Sequence, residues 1–131
     1  MNITSIYEDH YRGETYRFGV AYLRVRSPRD ERAPRHLTQY PLDTQRRIIA
    51  SAAREQHTII VGEYIEYGDW HHGLRPALNG LLTLAGETHL GTCFVVRESY
   101  LATRTADRTF WDTHFALCDI DLVAAIDRPR E

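Results

Sequence analysis

Lysine is missing from this chain: all sixteen of its basic residues are arginine, which reads as the mark of a GC-rich coding sequence. Cysteine is scarce. Cys93 and Cys118 stand in no CxxC or Cys/His ligand spacing, which excludes a disulfide framework or a zinc site and leaves two buried free thiols as the expectation. No apolar run approaches the roughly 18 residues that a membrane span needs. The first twenty residues, MNITSIYEDHYRGETYRFGV, lack the apolar core of a secretory signal, so a cytoplasmic location is expected. No glycine-rich GxGxxG or Walker loop is present, which removes the common nucleotide-binding motifs. A net charge of −2 argues against a protein that grips nucleic acid over its whole surface.

What is there is ordered and unevenly charged. From Arg24 to Arg54 the chain carries eight arginines against Asp30, Glu31 and Asp43, so basic charge is concentrated in one stretch. At 131 residues, with 43% apolar and 11% aromatic residues, the chain fits one domain that needs no covalent staple. Residues 1–15 are polar and aperiodic, an arm ahead of a domain spanning 16–131. RFGVAYLRV (Arg17 to Val25) is a nearly continuous apolar run of β-formers, suited to a strand buried on both faces. Pro28, Pro34 and Pro41, among clustered charges, then predict a long loop from Arg26 to Pro41.

Beyond it, Leu42 to His57 is helical, with Leu42, Ile48, Ile49, Ala52 and Ala53 on one stripe and Asp43 in the first turn, where a carboxylate suits the helix dipole. TIIVGEYIEY is a second strand, GDWHHG a loop, and Leu74 to Gly86 a helix ended by glycine. TCFVVRES is a third strand, Thr105 to Asp119 a third helix, and IDLVAAI a fourth strand. Such alternation predicts an α/β fold, a four-stranded parallel sheet flanked by helices, with chemistry gathered at the strand carboxyl ends. Those ends are Arg24 to Ser27, Glu66 to Gly73, and Arg97 to Arg104.

Taken together, these segments resemble the catalytic domain of the serine site-specific recombinases, the resolvase and invertase family. YLRVRS (Tyr22 to Ser27) is similar to the family's first-strand Tyr-x-Arg-Val-Ser, LDTQRR (Leu42 to Arg47) to the start of its first helix, and EYIEYGDWHHGLRPALNGLL (Glu63 to Leu82) to its second strand and Arg-Pro-x-Leu helix. The likeness runs from about Phe18 to Ile126, with a long insertion at the first loop. It implies a metal-independent and cofactor-free chemistry in which a serine hydroxyl attacks a DNA phosphodiester and arginines stabilise the crowded phosphorus. With no divalent ion, charge on the phosphoryl oxygens is met by guanidinium forks, which fit phosphate better than an ammonium does.

Carried onto this sequence, Arg24 matches the arginine two positions before the nucleophile, Gln45 the glutamine of the first helix, and Arg75 the arginine of Arg-Pro-x-Leu. The nucleophile position is Arg26, and Ser27 comes one residue late. After the third strand, where the family has Asp-Arg-Leu-x-Arg, only Leu101 is kept in register: Ser99 stands for the aspartate and Tyr100 and Thr103 for the arginines, with Arg104 one place beyond. Glu66 stands where the family commonly has an acid. Losing one preorganised donor costs roughly 100- to 1000-fold in rate, and about 1 Å of misplacement can cost about 100-fold more. The chain also shows no counterpart of the long dimer helix and helix-turn-helix reader of full recombinases.

The expectation is therefore a stand-alone recombinase-like domain, catalytically impaired, acting as a binding or regulatory module with DNA, a second copy of itself or a protein partner, and not with a membrane. An active enzyme would use Ser27, with Arg24, Arg75 and Arg104 as catalytic clamps and Arg26, Arg29 and Gln45 on phosphate. A small phosphate or nucleotide binder is a third reading, resting on fold alone. Arg24 has a plainer alternative as an ion-pair partner of Glu66 or Asp69. His71 and His72 lack a third ligand at metal spacing. Tyr100, Phe110, Trp111 and Phe115 are read as core rather than as a platform for bases.

Overall fold

The computed structural model describes residues 16–25, 40–67, 75–88, 90–101 and 105–126. Their elements run β1 (Arg17–Val25), α1 (Leu42–Glu55), β2 (Thr58–Tyr67), α2 (Pro76–Glu87), β3 (Thr92–Val95), a 3-10 turn (Glu98–Tyr100), α3 (Thr105–Leu117) and β4 (Asp121–Ala124). The sheet has the order β2-β1-β3-β4, with all three pairings parallel. The predicted alternation is thus realised. β1 lies inside the sheet, and the strand order reverses between β1 and β3, which fixes where a site can form.

Each face of the sheet has its own core. Val20 and Tyr22 of β1, with Cys93 and Val95 of β3, pack against Leu78, Leu81, Leu82 and Ala85 of α2 and Trp111 and Phe115 of α3. Ala21, Leu23 and Phe94 face the other way, onto Ile49, Ala52 and Ala53 of α1. Strand periodicity dictates this split, since neighbouring side chains on a strand point to opposite faces. Full burial of each such leucine or aromatic is worth roughly 1.5–3 kcal/mol.

Element ends depart from the sequence reading for identifiable reasons. Pro76 takes the first helical position of α2 and Arg75 becomes its N-cap residue, so the helix starts later than Leu74. At its other end α2 runs through Gly86 to Glu87, and Thr88, in extended conformation, donates its amide and its hydroxyl to the Leu84 carbonyl. Glycine is not the stop signal here. β3 stops at Val95, and the predicted strand residues 98 and 99 belong instead to the 3-10 turn.

Two local features shape β1. A Cβ on Gly19 would sit 2.9 Å from both the Thr58 Cγ2 and the Thr92 carbonyl, so only glycine lets β2 and β3 close on it from both sides. The register against β2 moves from Gly19↔Ile60 to Val20↔Gly62, leaving Val61 as the extra residue of a bulge. Val61 is 50% exposed, on a strand whose outer edge is unpaired among the described residues. A bulge there blunts that edge.

Candidate functional site

β3 pairs with β1 only as far as Ala21↔Phe94. Beyond that point the backbone of β1 needs another partner on this side, and Gln45 supplies it. Its Oε1 accepts from the Arg24 amide at 3.1 Å, and its Nε2 donates to the Arg24 carbonyl at 2.8 Å and to the Tyr40 carbonyl at 2.7 Å. The carboxamide acts as a one-residue substitute strand. Because Gln45 sits in the first turn of α1 and is wholly buried, it ties that helix to the carboxyl end of β1.

The side chain of Arg24 turns to the other face, where it meets Arg75. Arg24 is 1% exposed and Arg75 4%, unusual burial for guanidiniums. Arg24 Nη1 donates to the Tyr100 carbonyl at 3.1 Å, and Arg75 Nη2 donates to the same oxygen at 2.8 Å. Arg75 Nη1 donates to the Leu101 carbonyl. The Arg75 guanidinium carbon also lies 5.6 Å from the ring centres of both Tyr22 and Trp111, within cation–π range of each. Two arginines distant in sequence therefore converge on one turn after β3.

Tyr22 and Glu66 complete the cluster. Arg75 Nη2 donates to the Tyr22 hydroxyl at 3.0 Å, and that hydroxyl donates to Glu66 Oε1 at 3.1 Å. The Glu66 carboxylate also accepts the amides of Ala77 (3.0 Å) and Leu78 (3.1 Å), capping the first turn of α2 from β2. Glu66 lies opposite Arg24 in the β1–β2 register. Burial pushes the Tyr22 hydroxyl up to about 12, against the pull of the neighbouring Arg75 and Arg24 charges. Burial likewise pulls Arg24 down to about 10; the Tyr22 oxygen opposes this, and the adjacent Arg75 charge adds to it. Both remain in their usual forms at neutral pH, so a charged Arg24 and a neutral Tyr22 hydroxyl share this cluster with Arg75 and Glu66 at the switch in strand order.

Of the residues expected at a site, Arg24, Gln45 and Arg75 are thus brought together. Ser27, Arg26, Arg29 and Arg104 lie outside the described residues, as do Thr103, Asp69, His71 and His72. Tyr100 is buried among the α1-side residues, and its hydroxyl accepts the Tyr40 amide at 3.1 Å. Trp111 and Phe115 are core residues, whereas Phe110 is half-exposed. Sequence reasoning missed Tyr22 and Tyr40 as network members, although Tyr22 opens the quoted first-strand motif. It also left Arg97 unassigned at the end of β3, where its guanidinium lies 5.9 Å from the Tyr40 ring centre and donates to that residue's hydroxyl at 3.4 Å. Among the described residues no group of three or more His, Cys, Asp or Glu could hold a metal, and no helix is long and apolar enough to cross a membrane.

A four-stranded parallel sheet with flanking helices is the fold that this chain shares with catalytic domains of serine recombinases. The N-terminal catalytic domain of TP901-1 integrase superimposes with a TM-score of 0.67 at 18% identity, covering 83% of this chain and 77% of that one. The C-terminal catalytic domain of ISC1926 TnpA, an IS607-like serine recombinase, gives 0.65 at 14% identity over 86% of this chain and 71% of that one. A resolvase family site-specific recombinase from Streptococcus pneumoniae gives 0.61 at 19% identity over 85% and 74%. The likeness is one of fold. No family model and no curated protein matches the chain.

Proposed function

We propose that this chain is a serine-recombinase-like domain that works by binding DNA phosphates rather than by cutting DNA, as a regulatory or binding module of DNA recombination. The observation that carries the reading is the buried Arg24–Arg75 pair, two guanidiniums that converge at the strand ends on the Tyr100 and Leu101 carbonyls. A phosphodiester carries one negative charge, and a planar guanidinium pair suits its oxygens. Catalysis asks for more. Arg26 occupies the nucleophile place, and Tyr100 and Thr103 stand where the family has arginines, so two preorganised donors are displaced at roughly 100- to 1000-fold each. A cytoplasmic location and self-association, or docking to a protein partner, go with this reading.

Supercoiled plasmid incubated with the purified protein and quenched in denaturant tests it. The expected result is neither nicking nor a protein–DNA adduct. A covalent adduct that Ser27→Ala abolishes would sink the reading in favour of an active strand-transfer enzyme using Ser27, Arg24, Arg75 and Arg104.

A further inference from the structure

The carbonyl that both arginines grip belongs to a residue anchored elsewhere. Tyr100 offers its main-chain oxygen to Arg24 and Arg75, and its side-chain oxygen to the amide of Tyr40, whose own carbonyl is held by Gln45. Tyr100 thus joins the guanidinium pair to the chain segment that enters α1. We propose that Tyr100 is a positioning residue for the Arg24–Arg75 pair: its carbonyl stands in for an anionic oxygen, its hydroxyl fastens that carbonyl through Tyr40, and a phosphodiester reaches the pair only by displacing the Tyr100–Leu101 main chain.

Three observations support the exchange. A peptide carbonyl is a neutral acceptor, whereas hydrogen bonds from guanidinium to an ionised oxygen are roughly twice as strong. Both guanidiniums already converge on one oxygen, the Tyr100 carbonyl, at 3.1 and 2.8 Å, the approach that a phosphate oxygen would take in its place. Arg75 Nε is buried without a hydrogen-bond partner among the described residues, so the pair holds a donor that the carbonyls leave unused. Opposing these are the burial of the Tyr100 ring against the α1-side core and the bond to Tyr40, which favour the closed arrangement. Weakening that anchor shifts the population toward the open one, and apparent affinity rises with the fraction of competent molecules.

This inference rests on the reading of Arg24 and Arg75 as a phosphate site, and the experiment separates the two. Binding of a short fluorescein-labelled DNA duplex is measured by anisotropy for wild type, Tyr100→Phe and Arg75→Gln, with folding checked by circular dichroism. Hydrogen exchange at the Tyr40 amide is followed in wild type with and without the duplex. Arg75→Gln is expected to weaken binding, and Tyr100→Phe to tighten it about fivefold while lowering the melting temperature. DNA is expected to accelerate exchange at Tyr40. A merely structural tyrosine would lower the melting temperature and leave affinity unchanged. If Arg75→Gln weakens binding but Tyr100→Phe binds no tighter than wild type, the positioning role is overturned and the phosphate site stands. Unchanged or slower exchange at Tyr40 on DNA overturns it equally, and decides the matter alone should Tyr100→Phe fail to fold. No binding by any variant, or binding indifferent to Arg75, overturns both.

Discussion

At Gln45 one side chain replaces a missing length of sheet. Removing it in Gln45→Ala strips the Arg24 amide and carbonyl of a buried partner each, and the expected loss is roughly 3 kcal/mol in urea or guanidinium unfolding. Gln45→Glu keeps the acceptor but loses the donor. Its carboxyl, buried beside two carbonyls, takes up a proton more readily than in the unfolded chain, so this variant should be most stable at low pH and weaken as pH rises. Tyr22 makes a wild-type pH prediction. Its folded value, about 12 against an ordinary 10, means that the stability given by the neutral hydroxyl is intact below pH 10 and is lost as pH climbs toward 12. In an ultraviolet titration the Tyr22 phenol should ionise late, toward pH 12, together with loss of the folded signal. The sequence marked Arg24, Gln45 and Arg75 as a set because the three segments that carry them resemble recombinase motifs. It could not show that their partners are main-chain carbonyls at residues 100 and 101, since any residue type supplies a carbonyl.

Strands and helices were legible as elements because their side-chain periods differ. β1 read as doubly buried from its unbroken apolar run, and α1 from its apolar stripe. Less visible were the contacts that join elements. Glu66 looked like a strand-end acid, but it caps α2 through two amides and so couples β2 to the helix that carries Arg75. Glu66→Gln puts an amide group where only acceptors fit and removes the carboxylate charge that lies beside the buried arginines. It should lower stability by roughly 3 kcal/mol, measurable as a shift in the thermal midpoint. Gly19 gave no sequence signal beyond its place in a strand. Gly19→Ala drives a methyl into the Thr58 side chain and the Thr92 carbonyl, and the expected cost is roughly 1–3 kcal/mol with loss of β1 pairing on one side.

For the molecule as a whole, alternation predicted a parallel sheet covered on both faces, while the order β2-β1-β3-β4 had to come from three dimensions. Strand order depends on which strands each crossover passes over, and no residue pattern encodes that directly. The order matters, because it puts the ends of β1 and β3 side by side and so lets Arg24 meet the turn carrying Tyr100. A phosphate role for Arg75 has a consequence at this scale: in a salt titration of DNA binding, Arg75→Gln should flatten the log–log slope by about one unit, whatever the DNA sequence. The clamp by Gln45 bears on a different property. Its Nε2 bridges the carbonyls of Arg24 and Tyr40, so the chain leaves the sheet and re-enters α1 through two points held by one amide group. Closing a longer excursion between fixed points costs only about 0.6 kcal/mol per doubling of its length. One carboxamide thus fixes both ends of the span that the intervening sequence closes, whatever the length of that sequence.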